Sequence, residues 1–403
     1  MKLFGILGLL LCTVTLNVFA STDSNFEKFM SSNNSSDLEI QYNDLDQFLE
    51  LSVLVLGPSN REKAPRVSAK TGTRLKGRTN RLTGLEGNRF YFDNFDNDEY
   101  VEILRGLKES LEALPSEVAL SEFNSKEQLA YWLNLYNFTF LHELAVNHPD
   151  YKLNKIMKDE QDADFLNKKV LVVSDTSLSL NDIKYNIVLP KYKSDPLTAY
   201  GFISGVIGAP SIQSEAFTGK TVFKQLKEIA FDFVNSNRGT YYGGRISVFY
   251  KNHLAFFDND PSVVKDHVLD YLQDEVYSEI ANMPADQLDM GISDWNDASL
   301  GEKRAYGAGI SYNNAAFLDS ASVSQRSGNE GSGGSMSVQN FVAEGLVSKS
   351  RLNIRFSAEE LELLQAMGKR HEVRNGVIEL KELSEEEVKA LEDEKRLKKE
   401  PLN

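Results

Sequence analysis

The chain has 403 residues, 41% of them hydrophobic and 10% aromatic, enough to bury a substantial core in two domains or in one domain with appendages. Its formal charge of -15 argues against general nucleic-acid binding, because so acidic a chain is repelled by a phosphate backbone. The only cysteine is Cys12, so a chain cut after Ala20 has no disulfide, no thiolate nucleophile and no thiolate metal ligand.

The opening "MKLFGILGLLLCTVTLNVFAS" has one basic residue, an apolar stretch from Leu3 to Leu16, and small residues at Val18 and Ala20. That is the layout of a secretory signal peptide, residues 1–20, cleaved before Ser21. Loss of Lys2 then takes the charge from -15 to -16. An uncleaved anchor is the competing reading, and the bulk of Leu11 before Cys12 speaks against lipoprotein processing. No later stretch is apolar enough to span a bilayer, so the expectation is a periplasmic or secreted protein with no stable membrane span after cleavage.

Residues 21–42 are rich in Ser, Asn and Asp and read as a flexible leader. A domain is expected over 43–319. Leu45, Phe48, Leu49, Leu51 and Val55 predict a first helix over 44–56. Residues 61–89 then carry nine Lys or Arg against two Glu, a local patch that suits either an anionic polymer or the protein's own acidic surface. "LEGNRFYF" reads as a turn and a short strand, and Tyr100, Ile103, Leu104, Leu107 and Leu111 predict a helix over 98–113.

A longer helix is expected from Ser125 to about Asn147, with Ser125 and Gln128 in capping-box positions. Its apolar residues leave almost no polar face, which predicts burial. Inside it, "AYWLNLYN" places two amides, Asn134 and Asn137, that must find partners. "KKVLVVSD" reads as a strand and "SLSLNDIKYNIV" as a short capped helix, while "DPLTAYGFISGVIGAPSI" reads as an apolar strand running into a loop. A helix over 220–236, a Gly-Gly hairpin in "RGTYYGGRISVFY" and a closing helix from Pro261 to Leu272 complete the domain. Without regular βαβ alternation the fold class is α+β: a mainly helical domain with a small, mostly antiparallel sheet. A Ser/Gly-rich linker over 320–337 and a charged helical appendage over 338–403 complete the chain.

The segment order over 72–272 resembles the domain of unknown function 547 family, on four stretches: "LEGNRFYF", "LAYWLNLYNFTFLHEL", "SLSLNDIKYNIV" and the run from "DPLTAYGFISGVIGAPSI" to "NSNRG". The resemblance brings no established reaction, but the family pattern places Glu, two His, Arg and Cys close together, a set that looks like a thiol site. In this chain Lys184 stands for that Glu, Tyr185 for the first His, Leu189 and Leu197 for Arg, Ala199 for the second His and Ala209 for Cys. Asp182, Asp195, Pro196 and Pro210 remain, as does the frame of Trp132, Asn134, Tyr136 and Asn137. What the resemblance implies is a scaffold kept without its reactive set.

Two functional readings are open. One is a non-catalytic module that binds an envelope or extracellular ligand, with Asn134, Asn137, Asp182, Asp195, Ser204 and Ser211 as candidate contacts. The other is a non-thiol hydrolase or acyl transferase of peptide or envelope amides, with Ser204 as nucleophile or Lys184 and Tyr185 as a base pair. That second reading needs Lys184 buried with a depressed pKa; a surface lysine is the plainer expectation. A structural envelope protein that assembles through its acidic tail is a third class. The five His show no metal-ligand spacing, and no cofactor is expected. His142 reads as a hydrogen-bonded core residue, and "DNDP" between His253 and His267 as a helix start rather than a calcium loop. A closed apolar pocket near Ala199 and Ala209 would favour binding; a polar cleft with a base beside Ser204 would favour the enzyme.

Overall fold

The computed structural model describes residues 26–64, 80–147, 153–158, 160–193, 195–273 and 276–299. The expected signal peptide over 1–20, the expected linker over 320–337 and the expected appendage over 338–403 lie outside the described residues. Among those described, the fold is mainly helical α+β, with three small sheets rather than one.

Helix α1 spans Asn43–Ser52 and runs into strand β1, Val53–Leu54, which pairs antiparallel with β2, Arg89–Phe90. Helix α2, Asp98–Glu117, is capped by the Asn97 side chain and lies along helix α3, Ser125–Val146. The cap of α3 is Asn124, one residue earlier than the sequence pattern places it. Its side-chain oxygen accepts from the backbone N–H groups of Lys126 and Glu127 at 3.1 and 3.0 Å. Gln128, expected to close a capping box, instead donates to the carbonyls of Leu120 and Phe123 at 2.6 and 2.9 Å.

Strands β3, Leu171–Val173, and β4, Thr176–Leu178, form a hairpin turned by Ser174 and Asp175, both at positive φ. A reciprocal cap opens the next helix: Ser179 Oγ accepts from Asp182 N, and Asp182 Oδ2 accepts from Ser179 N at 2.6 Å. Residues Asp182–Val188 then take the wider π-helical winding, which presents Lys184 inward. The apolar strand expected from residue 195 onward is a 3₁₀ helix, Pro196–Gly201, capped by Asp195. An Asp-Pro pair is itself a helix-start signal, and the run behind it is apolar because it is buried, not because it is extended.

The helix Val222–Val234 packs on α3 and on that 3₁₀ turn. Strands β5, Thr240–Tyr241, and β6, Arg245–Ser247, make the Gly-Gly hairpin, with Gly243 and Gly244 at positive φ. Strand β7, Asp289–Ile292, adds to β6 in parallel. Asp260 caps the helix Pro261–Tyr271, so "DNDP" is a helix start. Beyond β7, residues 294–298 form a strap across the 205–208 loop: Gly208 N donates to Asp294 O, Ile207 N to Asn296 O, and Ala298 N to Gly205 O, at 2.7 to 2.9 Å.

One composition-based expectation meets a different structure. Residues 26–42, read as leader, lie against the domain: Phe29 is buried and meets Trp132 edge-on at 5.1 Å, and Gln128 also donates to Ser31 O. Composition misses this because two well-placed aromatic rings, Phe26 and Phe29, outweigh many polar neighbours. In the basic stretch, the described arginines turn inward. Arg61 reaches Thr240, Arg81 reaches Ala64 O, and buried Arg89 donates to the carbonyls of Gly84, Glu86 and Gly87.

Candidate functional site

Helix α3 meets the rest of the domain through its two amides. Asn134 Nδ2 donates to Phe217 O at 2.8 Å while its Oδ1 accepts from Phe217 N at 2.9 Å. One turn on, Asn137 Nδ2 donates to Gly201 O at 3.0 Å and its Oδ1 accepts from Ile203 N at 3.1 Å. Each amide satisfies both polar groups of a neighbouring loop. Gly201 packs so close that a Cβ there would stand 2.7 Å from Leu133 Cδ1.

A second buried interaction ties the first family-like stretch to the last. Glu86 accepts from the backbone N–H groups of Asn237 and Arg238 at 3.1 and 3.2 Å. The Arg238 guanidinium, 1% exposed, donates to Asp232, to Ala209 O at 2.8 Å and to Ser211 Oγ at 3.2 Å. Arg238 thus fixes the loop that carries residues 209–211, and Ser211 is a partner of that arginine.

On the other face of this loop, Ser204, Ala209, Phe202, Phe249, His253, Glu160, Asp294 and Trp295 enclose a cleft with about 30 Å³ of free space, room for about two waters. Behind it Lys184, 1% exposed, pairs with Glu160 Oε1 and stands 2.7 Å from His253 Nε2. The expected surface lysine is therefore a core residue, because its ammonium has both a carboxylate and an imidazole to receive it. His253 Nδ1 lies 2.8 Å from Phe249 O, a pure acceptor, so Nδ1 carries the proton and the Nε2 lone pair faces Lys184.

The charges follow from this placement. Burial works against the Lys184 ammonium, but the Glu160 carboxylate and the neighbouring Tyr185 oxygen together outweigh it and hold the lysine above its ordinary pKa. Glu160 is likewise buried, yet the Lys184 ammonium holds it well below the usual carboxylate range. Burial, and then the Lys184 charge, depress His253. Tyr185, whose ring lies under the ammonium at 5.4 Å, is raised by burial. The depressed lysine that a general-base role requires is not found here, and Tyr185 offers no phenolate near neutral pH.

The remaining sequence candidates disperse. Asp182 receives Ser179, Lys169 and Asn186, and Asp195 receives Leu197 N at 3.0 Å, so both carboxylates serve helix starts. Ser204 sits in the cleft wall with its hydroxyl buried and without a hydrogen-bond partner among the described residues. Ala209 lines the same cleft, whereas Ala199 is fully buried in the core. The cleft is therefore neither wholly apolar nor equipped with a free base: its imidazole already accepts a hydrogen bond. His142 is half-buried beside Glu143 at 3.2 Å. Among the described residues no group of His, Asp and Glu is arranged to hold a metal ion, and no helix is long and apolar enough to cross a membrane.

Glu160, His253, Asp294 and Trp295 escape sequence reasoning. Glu160 sits in an acidic run that reads as solvated loop, His253 in a helix-start region, and the strap residues beyond the resemblance. The one available signal was a lysine next to Ile183 and ahead of Ile187 and Val188 in "DIKYNIV", which demands a distant partner when buried.

Residues 120–234 match the family described as "Protein of unknown function, DUF547". The match holds the stretches around Asn134 and Lys184 and most of the run from Asp195, while "LEGNRFYF" precedes it and His253 and Asp294 lie beyond its end. No curated protein and no solved structure matches the chain.

Asn134→Ala leaves both polar groups of Phe217 unpaired, and the expected loss is about 1–3 kcal/mol of unfolding free energy. An unshifted urea midpoint would show that the clamp is dispensable. Acid is expected to weaken the fold through its buried imidazoles. Burial takes His267 from 6.5 to about 4 and His253 moves in the same direction, so the unfolded chain binds protons that the folded chain refuses. Stability should be fully present above pH 6.5 and decline as pH falls towards about 4, with a shallower decline in His267→Gln. Urea titrations across that range check the slope, and a flat profile would contradict it.

Proposed function

We propose that this chain is a periplasmic or secreted, non-catalytic module that binds an envelope or extracellular ligand in the cleft beside Ala209. One observation carries the reading: His253 Nε2 already accepts from Lys184, and Lys184 is already paired with Glu160. A serine nucleophile needs a free base to take its proton. Ser204 shares the cleft with an imidazole whose lone pair is occupied, and Lys184 stays charged. The substituted family positions point the same way, since Ala209 offers no nucleophile.

The cleft nevertheless has the makings of a binding site, with aromatic walls and a few convergent polar groups. The hydroxyl of Ser204 is unpaired, and a buried polar atom in that state is a place for a ligand or water. Export is supported by the signal-like opening.

Labelling with a fluorophosphonate probe tests the chemistry. The purified wild-type chain is expected to remain unlabelled, and labelling that disappears in Ser204→Ala would install the serine enzyme in place of the binding module. Export is checked by intact mass from the native host: the expected chain starts at Ser21, and a mass that includes residues 1–20 would remove the proposed processing.

A further inference from the structure

The cleft has a chemistry narrower than binding in general, and that narrower chemistry presupposes the binding module proposed for it. Glu160 Oε1 is taken by Lys184, but Oε2 stands 3.6 Å from His253 Nε2, which carries no proton to give. Two acceptors thus face each other, and only the imidazole lone pair is served by Lys184. Ser204 Oγ adds a second unserved oxygen in the same wall.

The surrounding charge favours the same kind of visitor. Asp294, 4% exposed, is held by neutral donors: the Thr83 hydroxyl and the backbone and side-chain nitrogens of Asn296. Two carboxylates, Glu160 and Asp294, against the single ammonium of Lys184 leave the cleft with one net negative charge. Phe202, Phe249 and Trp295 form its aromatic walls, and aromatic faces attract cations. The whole chain, at -15, draws cations towards it as well. An anion would meet like charge, and an aprotic ligand would leave Glu160 Oε2 without a donor.

We infer that the cleft takes a primary alkylammonium group on a short aliphatic arm. The arm lies between the aromatic walls, and the N–H donors serve Glu160 Oε2 and Ser204 Oγ. The free space beside Ala209, room for about two waters, takes the ammonium and the carbon that bears it, leaves the rest of the arm at the mouth and excludes a bulky head.

Trp295 reports occupancy, because the other tryptophan, Trp132, is fully buried in the core. At fixed ionic strength, n-propylammonium is expected to shift Trp295 emission saturably with a dissociation constant in the millimolar range, as befits so small a ligand. 1-Propanol and propionate, of similar shape, should leave the emission unchanged. Ala209→Leu fills the cleft and should abolish the response. Ser204→Ala should weaken it about tenfold, the effect of one hydrogen bond to a charged group. The comparison of three probes on the wild-type chain stands whether or not either variant folds. If propanol or propionate shifts the emission as strongly as propylammonium, or if no probe gives a saturable shift, the ammonium inference is overturned. A response to propanol alone would overturn it while leaving the binding module intact, and labelled Ser204 would overturn that module whichever probe wins.

Discussion

Helix α3 has no face to give to water, and the architecture is arranged around that constraint. Leu129, Trp132, Leu133, Tyr136 and Phe140 are fully buried, and so are Leu135 and Tyr131 on other sides of the same helix. A helix of this kind gains stability only when it is surrounded. Helix α2, the π-helical segment and the helix Val222–Val234 surround it. Apolar packing alone would leave neighbouring segments free to slide, and the paired hydrogen bonds of Asn134 and Asn137 remove that freedom by engaging specific peptide groups. The loop beyond Gly201 is thereby placed before it reaches Ser204 and Ala209.

A charged triad sits in the interior because of a second element, the π-helical segment. The π-helical winding after Asp182 turns Lys184 towards the core, where a lone ammonium is prohibitively costly. Glu160 and His253 arrive from either side in sequence to meet it. A pair of this type contributes little net stability compared with apolar packing, but removal of one partner strands the others. The triad therefore acts as a lock on relative position: the segment around Glu160, the π-helix and the short helix Val248–Asn252 before His253 must all be in place together.

Legibility in the sequence tracked the range of the interaction. The helices around Leu104, Trp132 and Leu226 were visible because their determinants repeat every few residues, and the Gly243–Gly244 hairpin because its turn chemistry is local. The 3₁₀ turn after Asp195 was misread as a strand, since an apolar run of that length has no period that separates the two. The amides of α3 were visible as polar atoms in need of partners, but not which loops they hold. Lys184, Glu160 and His253 were beyond reach for a related reason: each looks ordinary in its own neighbourhood. Asp294 and Trp295 are further removed, brought to the cleft by a strap that pairs with a loop far earlier in the chain.

That strap gives the domain an order of completion. A chain emerging from its N-terminus can assemble the buried helix, its amide clamps and the Lys184 triad before residue 294 exists, yet the 205–208 loop must wait with its backbone donors unpaired. Gly208, where a Cβ would stand 2.5 Å from Asp294 N, keeps the slot open for the late arrival. The wall that carries Trp295 is therefore the last part of the cleft to be built. A truncated chain ending before the strap would own the scaffold and lack the wall that Asp294 and Trp295 give the cleft.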